Sequence, residues 1–283
     1  MYNGKKFAVF ILTHGRANNV VTEKTLKRCG YTGDIYYLID NEDDQQAEYQ
    51  SRYGDKVIVF NKKEAAQRCD QGDLSNDLRV ILFARNQCFS EARKLGLDFF
   101  LELDDDYRSF EYRHEENGKL LVDEYKNLDG LFDLMIRFLT DTDALTVALA
   151  QGGDFVGGRL SAVYQKGLAR KAMNTFFCRT DRPINFVGRI NEDVNTYTTL
   201  NQRGERIFTY AKAAIVQAAT QSNSGGMSDV YLDMGTYLKS FYSVMYSPSC
   251  VKISTTGDTH MRIHHRINWD ACTPMILNER WKK

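Results

Sequence analysis

Four short runs, residues 7–13, 35–39, 57–60 and 99–103, are apolar nearly throughout, and amphipathic helical patterns separate them. A strand with one solvated face alternates polar and apolar residues, whereas a strand apolar along its length is covered on both sides. Alternation of such strands with helices implies an α/β fold, a Rossmann-like, mostly parallel central sheet with helices on both faces. Gly30, Gly54 and Gly96 stand where the intervening helices should stop. In sheets of this kind ligands collect beyond the carboxyl ends of the strands. Three polar clusters fall there: Thr13-His14-Gly15-Arg16, Asp40-Asn41-Glu42-Asp43 and Asp104-Asp105-Asp106.

Beyond residue 106 the texture changes. Asn117-Gly118 between two extended segments signals a hairpin. A helix is expected over 128–139 and a strand over 145–150, followed by a loop-rich stretch with Arg159, Lys166, Arg170 and Lys171. Glu192-Asp193 opens a further helix, and a last strand carries histidines. No repeat or Pro-rich linker intervenes, so a single domain over 1–283 is expected, with halves 1–106 and 107–283.

Lys+Arg and Asp+Glu both number 37, which removes the basic excess typical of phosphate-tracking proteins without excluding a local basic groove. The six cysteines are scattered with no CxxC pair, so free thiols, a reducing cytoplasmic setting and no zinc knuckle are the simplest reading. The first apolar run is too short to span a bilayer and reads as a strand; no membrane association is expected.

Asp104-Asp105-Asp106 carries the chemistry that this rim implies. When a sugar leaves a nucleoside diphosphate, negative charge builds on the diphosphate, and a divalent ion neutralises it. Mn2+ or Mg2+ prefers one or two carboxylates plus phosphate and water oxygens. Asp104 and Asp106 at a strand end can supply those carboxylates, although a solvated acidic turn has the same composition. Arg85, in the helix leading to that strand, is placed to meet a diphosphate, or else to make an ion pair. Asp40 can accept from a nucleoside or act as a turn residue, and His14 and Arg16 have the same two uses. Glu192-Asp193 reads as ordinary helix capping or as a general base that deprotonates an acceptor hydroxyl; the latter needs a partly buried carboxylate of raised pKa. His260, Arg262 and His264 alternate along a strand, with His265 on the other face; a third metal ligand is available among them.

The ordered set of segments resembles the TET-associated glycosyltransferase family, phage-encoded proteins of GT-A fold. The matching stretches are Ile11-Leu12-Thr13-His14-Gly15-Arg16, Gly30-Tyr31-Thr32-Gly33, Ile39-Asp40-Asn41-Glu42-Asp43, Ala84-Arg85-Asn86 and Leu103-Asp104-Asp105-Asp106-Tyr107. They continue with Gly188-Arg189-Ile190-Asn191-Glu192-Asp193-Val194-Asn195-Thr196-Tyr197, Thr220-Gln221-Ser222-Asn223-Ser224-Gly225-Gly226 and Arg262-Ile263-His264-His265-Arg266.

The resemblance implies a UDP-sugar donor and, as acceptor, the hydroxyl of 5-hydroxymethylcytosine in DNA. Residues 1–106 then form the nucleotide-sugar half, with Thr13, His14, Arg16, Asp40, Arg85, Asp104 and Asp105 around the donor. Asp104 and Asp106 form a DXD motif for Mn2+ or Mg2+, and His264 or His265 resembles the late histidine that completes such a site. The acidic pair resembles that of inverting GT-A enzymes, which favours Asp193 over Glu192 as base. Residues 107–283 form the acceptor half, where Arg159, Lys171 and Asn223 are candidate contacts and Lys166, Arg170, Lys282 and Lys283 are further cations. A phage-encoded member works in the host cytoplasm. Two alternatives stay open: a protein, lipid or glycan acceptor, and a nucleotide-binding domain without catalysis. A nucleotidyltransferase usually adds a Gly-rich loop after the first strand, where this chain has one glycine, Gly15.

Overall fold

A computed structural model describes residues 4–217, 237–256, 261–274 and 279. Strand β1 (Phe7–Leu12) lies between β2 (Asp34–Asp40) and β4 (Phe99–Asp104), parallel to both, and β3 (Val57–Phe60) extends the parallel set beside β2. On the other side of β4 comes β9 (Phe176–Arg179), antiparallel, then β7 (Thr146–Ala150) and β10 (Ile207–Gln217), which are parallel to each other. The hairpin β5 (Tyr107–Glu116) and β6 (Lys119–Glu124) completes the far edge, with Asn117 and Gly118 both at positive φ in its turn. A short β8 (Leu168–Ala169) pairs with β10. The sheet is mixed and mostly parallel.

The two faces of β1 explain its unbroken hydrophobicity. Phe7, Val9 and Ile11 pack into one core, with Leu26 from α1 (Val21–Arg28), Tyr49 from α2 (Gln46–Tyr53) and Phe132, Ile136 and Leu139 from α5 (Leu128–Thr142). Phe10 and Leu12 point into the other, with Ala65 from α3 (Lys62–Gln67), Phe83 and Phe89 from α4 (Leu82–Lys94), and Val194 and Tyr197 from α7 (Glu192–Gln202). Helices therefore cover both faces. A small helix α6 (Ala162–Lys166) precedes β8. Helix α8 (Leu238–Tyr246) packs on α7 and against a separate hairpin, β11 (Val251–Thr256) and β12 (Arg262–Ile267). No helix among the described residues is long and apolar enough to cross a membrane.

The helix that stops before Gly96 spans Leu82–Lys94, and the one expected over 128–139 runs on to Thr142, ending at Asp143 with left-handed backbone. The long strand β10 follows α7, and its pairing with β7 slips between Tyr210 and Ala214.

Candidate active site

The end of β4 is held by α1. Thr22, fully buried, donates from Oγ1 to the Asp104 carbonyl at 2.6 Å and accepts from the Tyr107 amide at 2.9 Å. Its own amide donates to the Asp105 carbonyl at 3.0 Å. One side chain thus satisfies both flanks of the acidic turn, where a buried unpaired backbone group would cost about 1–3 kcal/mol.

The three aspartates face different partners. Asp105 is buried and accepts from Thr13 Oγ1 at 2.7 Å and from Arg16 Nη1 at 2.6 Å. Tyr49 ties the same loop through its hydroxyl, 2.8 Å from Thr13 Oγ1 and accepting from the Arg16 amide at 2.9 Å. Asp105 is therefore spent on the loop after β1. Asp104 keeps a side chain that is 25% exposed and lies 3.3 Å from Arg85 Nη2. Among the described residues no ion pair holds Asp106. Burial, then the repulsion of Asp106, Glu192 and Asp105, pushes the Asp104 carboxyl up to about 7 despite Arg85. Burial and Asp105 push Asp106 up as well. Carboxylates outnumber the cations that meet them, which is the electrostatic condition for gripping a divalent ion.

Arg85 departs from expectation. It is 1% exposed, so it offers no edge to a diphosphate. Instead its Nε donates to Glu192 Oε1 at 3.0 Å, its Nη2 meets Asp104, and its Nη1 lies 3.6 Å from Glu102 Oε2. Its ring neighbours are Phe176 and Phe186, with the guanidinium 4.9 Å and 5.9 Å from their centroids. Glu102 is completely buried, and burial raises its carboxyl to about 8. A glutamate inside the run Phe99-Phe100-Leu101-Glu102-Leu103 was a readable sign of such a partner.

Glu192 and Asp193 form the first turn of α7 and are 8% and 7% exposed. Asn191, at left-handed φ 60°, brings the chain into that turn and donates to Ser243 Oγ of α8 at 2.6 Å. Asn195 Nδ2 donates back to the Ile190 carbonyl at 2.9 Å. Asp193 Oδ1 accepts from the Val194 amide at 2.7 Å. Burial and the adjacent Glu192 hold the Asp193 carboxyl well above the usual carboxylate range. That is the buried, raised carboxylate a general base requires.

The second strand end is another closed cluster. Asp40 meets His14 Nδ1 at 2.8 Å, Lys62 Nζ at 3.0 Å and the Glu42 amide at 3.0 Å. A nucleoside would thus find Asp40 already occupied, while His14 stays half exposed with its pKa raised by the bond to Asp40. Asp43, from the same polar cluster as Asp40, accepts from the Gly15 amide at 2.8 Å, whereas Lys62 and Tyr49 gave no signal in the sequence beyond their composition.

His264 and His265 lie on β12, and their ring centroids are 4.4 Å apart rather than on opposite faces. Burial, His264 and Lys239 lower the His265 imidazole to about 4, so it is neutral, the form that ligates metals. Lys239 of α8 acts on Asp193 and His265 alike. Among the described residues, no three His, Cys, Asp or Glu side chains converge as a ready-made cage. Of the expected acceptor contacts, Arg159 is half exposed, 3.8 Å from Glu115. Lys171 is withdrawn from solvent by its ion pair with buried Asp154, and Arg170 donates to Asn201 at 3.1 Å. Asn223, His260, Lys282 and Lys283 lie outside the described residues.

Residues 7–226 match the model of the TET-associated glycosyltransferases. The chain belongs to the TET-associated glycosyltransferase family. It is therefore a glycosyltransferase, and the matched span contains the acidic turn, Arg85 and the Glu192-Asp193 pair, whereas β12 lies beyond it. No curated protein matches the chain. Solved structures similar to this glycosyltransferase include glucosyl-3-phosphoglycerate synthase from Mycobacterium tuberculosis in complex with Mn2+ and UDP-glucose. That likeness has 10% identity, 94% of this chain and 88% of the other covered, and a TM-score of 0.50. A mycobacterial protein is similar at 10% identity, with 94% and 85% covered and a TM-score of 0.50. These likenesses show the GT-A fold.

Proposed function

We propose that this glycosyltransferase moves a sugar from a UDP-sugar to the hydroxyl of 5-hydroxymethylcytosine in DNA. The observation that carries the reading is the shared guanidinium of Arg85, which joins a strand-end carboxylate, Asp104, to the helix turn bearing Asp193. Mn2+ or Mg2+ fits the donor set: Asp104 and Asp106 supply carboxylates in cation deficit, with diphosphate and water oxygens completing the shell. Neutral His265, or His264 beside it, is the candidate third protein ligand. When bound, the ion offsets the charge that gathers on the departing diphosphate. Thr13, Arg16 and Asp105 fix the loop after β1 that would border the donor, and half-exposed His14 is available to meet the nucleoside. The carboxylate of Asp193 takes the acceptor proton, the freed oxygen bonds the anomeric carbon, and the bond to the β-phosphate oxygen breaks as UDP leaves. UDP-glucose and Mn2+ in the M. tuberculosis synthase accord with this donor choice.

A hydroxymethyl group on C5 lies in the major groove, so the DNA must present it there or the base must be flipped out. Arg159 and Lys166 are exposed cations available for that contact. Zero net charge and the engagement of Lys171 and Arg170 favour a second reading, a protein, lipid or glycan acceptor. One experiment separates them: labelled UDP-sugars, Mn2+ and DNA with or without 5-hydroxymethylcytosine. Label appears on the modified DNA alone, and Asp104→Ala or Asp106→Ala abolishes it. Label confined to protein or glycan transfers the case to the second reading.

A further inference from the structure

Arg85 is placed unlike a ligand-binding arginine. Three carboxylates from two elements surround it: Glu102 and Asp104 on β4, and Glu192 at the start of α7. It is 1% exposed, so bulk solvent screens the guanidinium little. Its contacts are unequal. The bond to Glu192 is 3.0 Å, the approach to Asp104 is 3.3 Å, and the approach to Glu102 is 3.6 Å. Neither Glu102 oxygen nor Arg85 Nη1 has a hydrogen-bond partner among the described residues. One cation thus faces Asp104 and Glu192 together, with Glu102 behind it, in a buried pocket walled by Phe176 and Phe186 where charges are weakly screened.

We propose that Arg85 is a positioning residue that couples the two halves of the site, so that the charge of Glu192 on the acceptor side tunes the grip of Asp104 on the divalent ion. This rests on the reading of Asp104 as a metal carboxylate. Asp104 and Glu192 compete for the guanidinium. Whatever share of the guanidinium Asp104 receives reduces the charge it can offer an ion, and Glu192 draws that share away. Neutralising Glu192 leaves Arg85 to Asp104 and weakens the metal site, although Glu192 itself touches no ion. By thermodynamic reciprocity, an ion on Asp104 releases the guanidinium toward Glu192 and tightens the turn that carries Asp193. The arrangement links donor loading to the order of the base without a moving loop.

The test reads metal affinity, not turnover. Free Mn2+ is titrated into the full chain with UDP and followed by electron paramagnetic resonance. Glu192→Gln keeps shape and an acceptor oxygen for Arg85 Nε, and its folding is checked by circular dichroism. Glu192→Gln should weaken Mn2+ binding about fivefold or more. In an Arg85→Lys background, where the ammonium replaces the fork that spans both carboxylates, the same change should have little effect. Unaltered Mn2+ affinity in folded Glu192→Gln overturns the proposal, and so does an effect of full size in the Arg85→Lys background. Should Arg85→Lys not fold, the Glu192→Gln titration decides alone. Parent protein that binds no Mn2+ with UDP sinks the donor-site reading and this proposal together; parent binding without a Glu192→Gln shift sinks this proposal only.

Discussion

At the scale of single residues, chemistry is set less by residue type than by what each carboxylate already touches. Asp105 and Asp40 are of the type that binds nucleotides, yet hydrogen bonds to Thr13 and Arg16, and to His14 and Lys62, consume them. Asp193 instead accepts from a backbone amide, and burial together with the neighbouring Glu192 raises its carboxyl. Asp193→Asn is isosteric and keeps the acceptor oxygen for the Val194 amide. It should leave UDP-sugar binding unchanged in calorimetry and lower transfer at least about 100-fold, the usual scale of a lost general base. Transfer at the parent rate would remove Asp193 from the mechanism. For the parent enzyme, transfer at saturating donor should rise with pH through the raised value of Asp193, because only the ionised carboxylate accepts a proton.

Elements, more than residues, were legible in the chain. Strands β1 to β4 and the hairpin turn at Asn117-Gly118 follow from unbroken apolar runs and from two residues that tolerate positive φ. The acidic turn and the Glu192-Asp193 turn were visible because polar clusters at strand and helix ends stand out against apolar surroundings. Arg85 had two uses open in the sequence, and the ion pair could not be chosen there because its partners Glu102 and Glu192 and its neighbours Phe176 and Phe186 are distant in sequence. Lys171 likewise meets Asp154 only through folding. Thr22 illustrates the same limit: nothing local marks it, yet it binds α1 to the end of β4 through three backbone groups. Thr22→Val preserves volume and removes the hydroxyl, leaving the Tyr107 amide and the Asp104 carbonyl unpaired. It should cost about 1–3 kcal/mol in urea denaturation. Mn2+ affinity should fall with it, since the carbonyl it holds belongs to Asp104. An unchanged midpoint would mean that water replaces the hydroxyl at no cost.

For the whole molecule, a site kept short of positive charge is a standing load on stability, and its sign differs from that of the usual salt-bridged aspartate. The folded-state pKa of Asp193 lies above its ordinary value of 3.8. Between those two values the folded chain retains a proton that the unfolded chain has released, so stability falls as pH rises through that window. Below 3.8 both states are protonated and the group is silent; above the folded value the penalty is complete and the slope from this group ends. Asparagine imitates the protonated form at every pH. The stability of Asp193→Asn relative to the parent should therefore be near zero around pH 4 and grow to about 1–3 kcal/mol by pH 8. Urea denaturation of both proteins across that range measures it. A gap that is the same at every pH would trace the difference to packing rather than ionisation. A gap that grows would mean that the fold tolerates at neutral pH the buried charge its proposed chemistry requires, as expected where stability and activity draw on the same side chain.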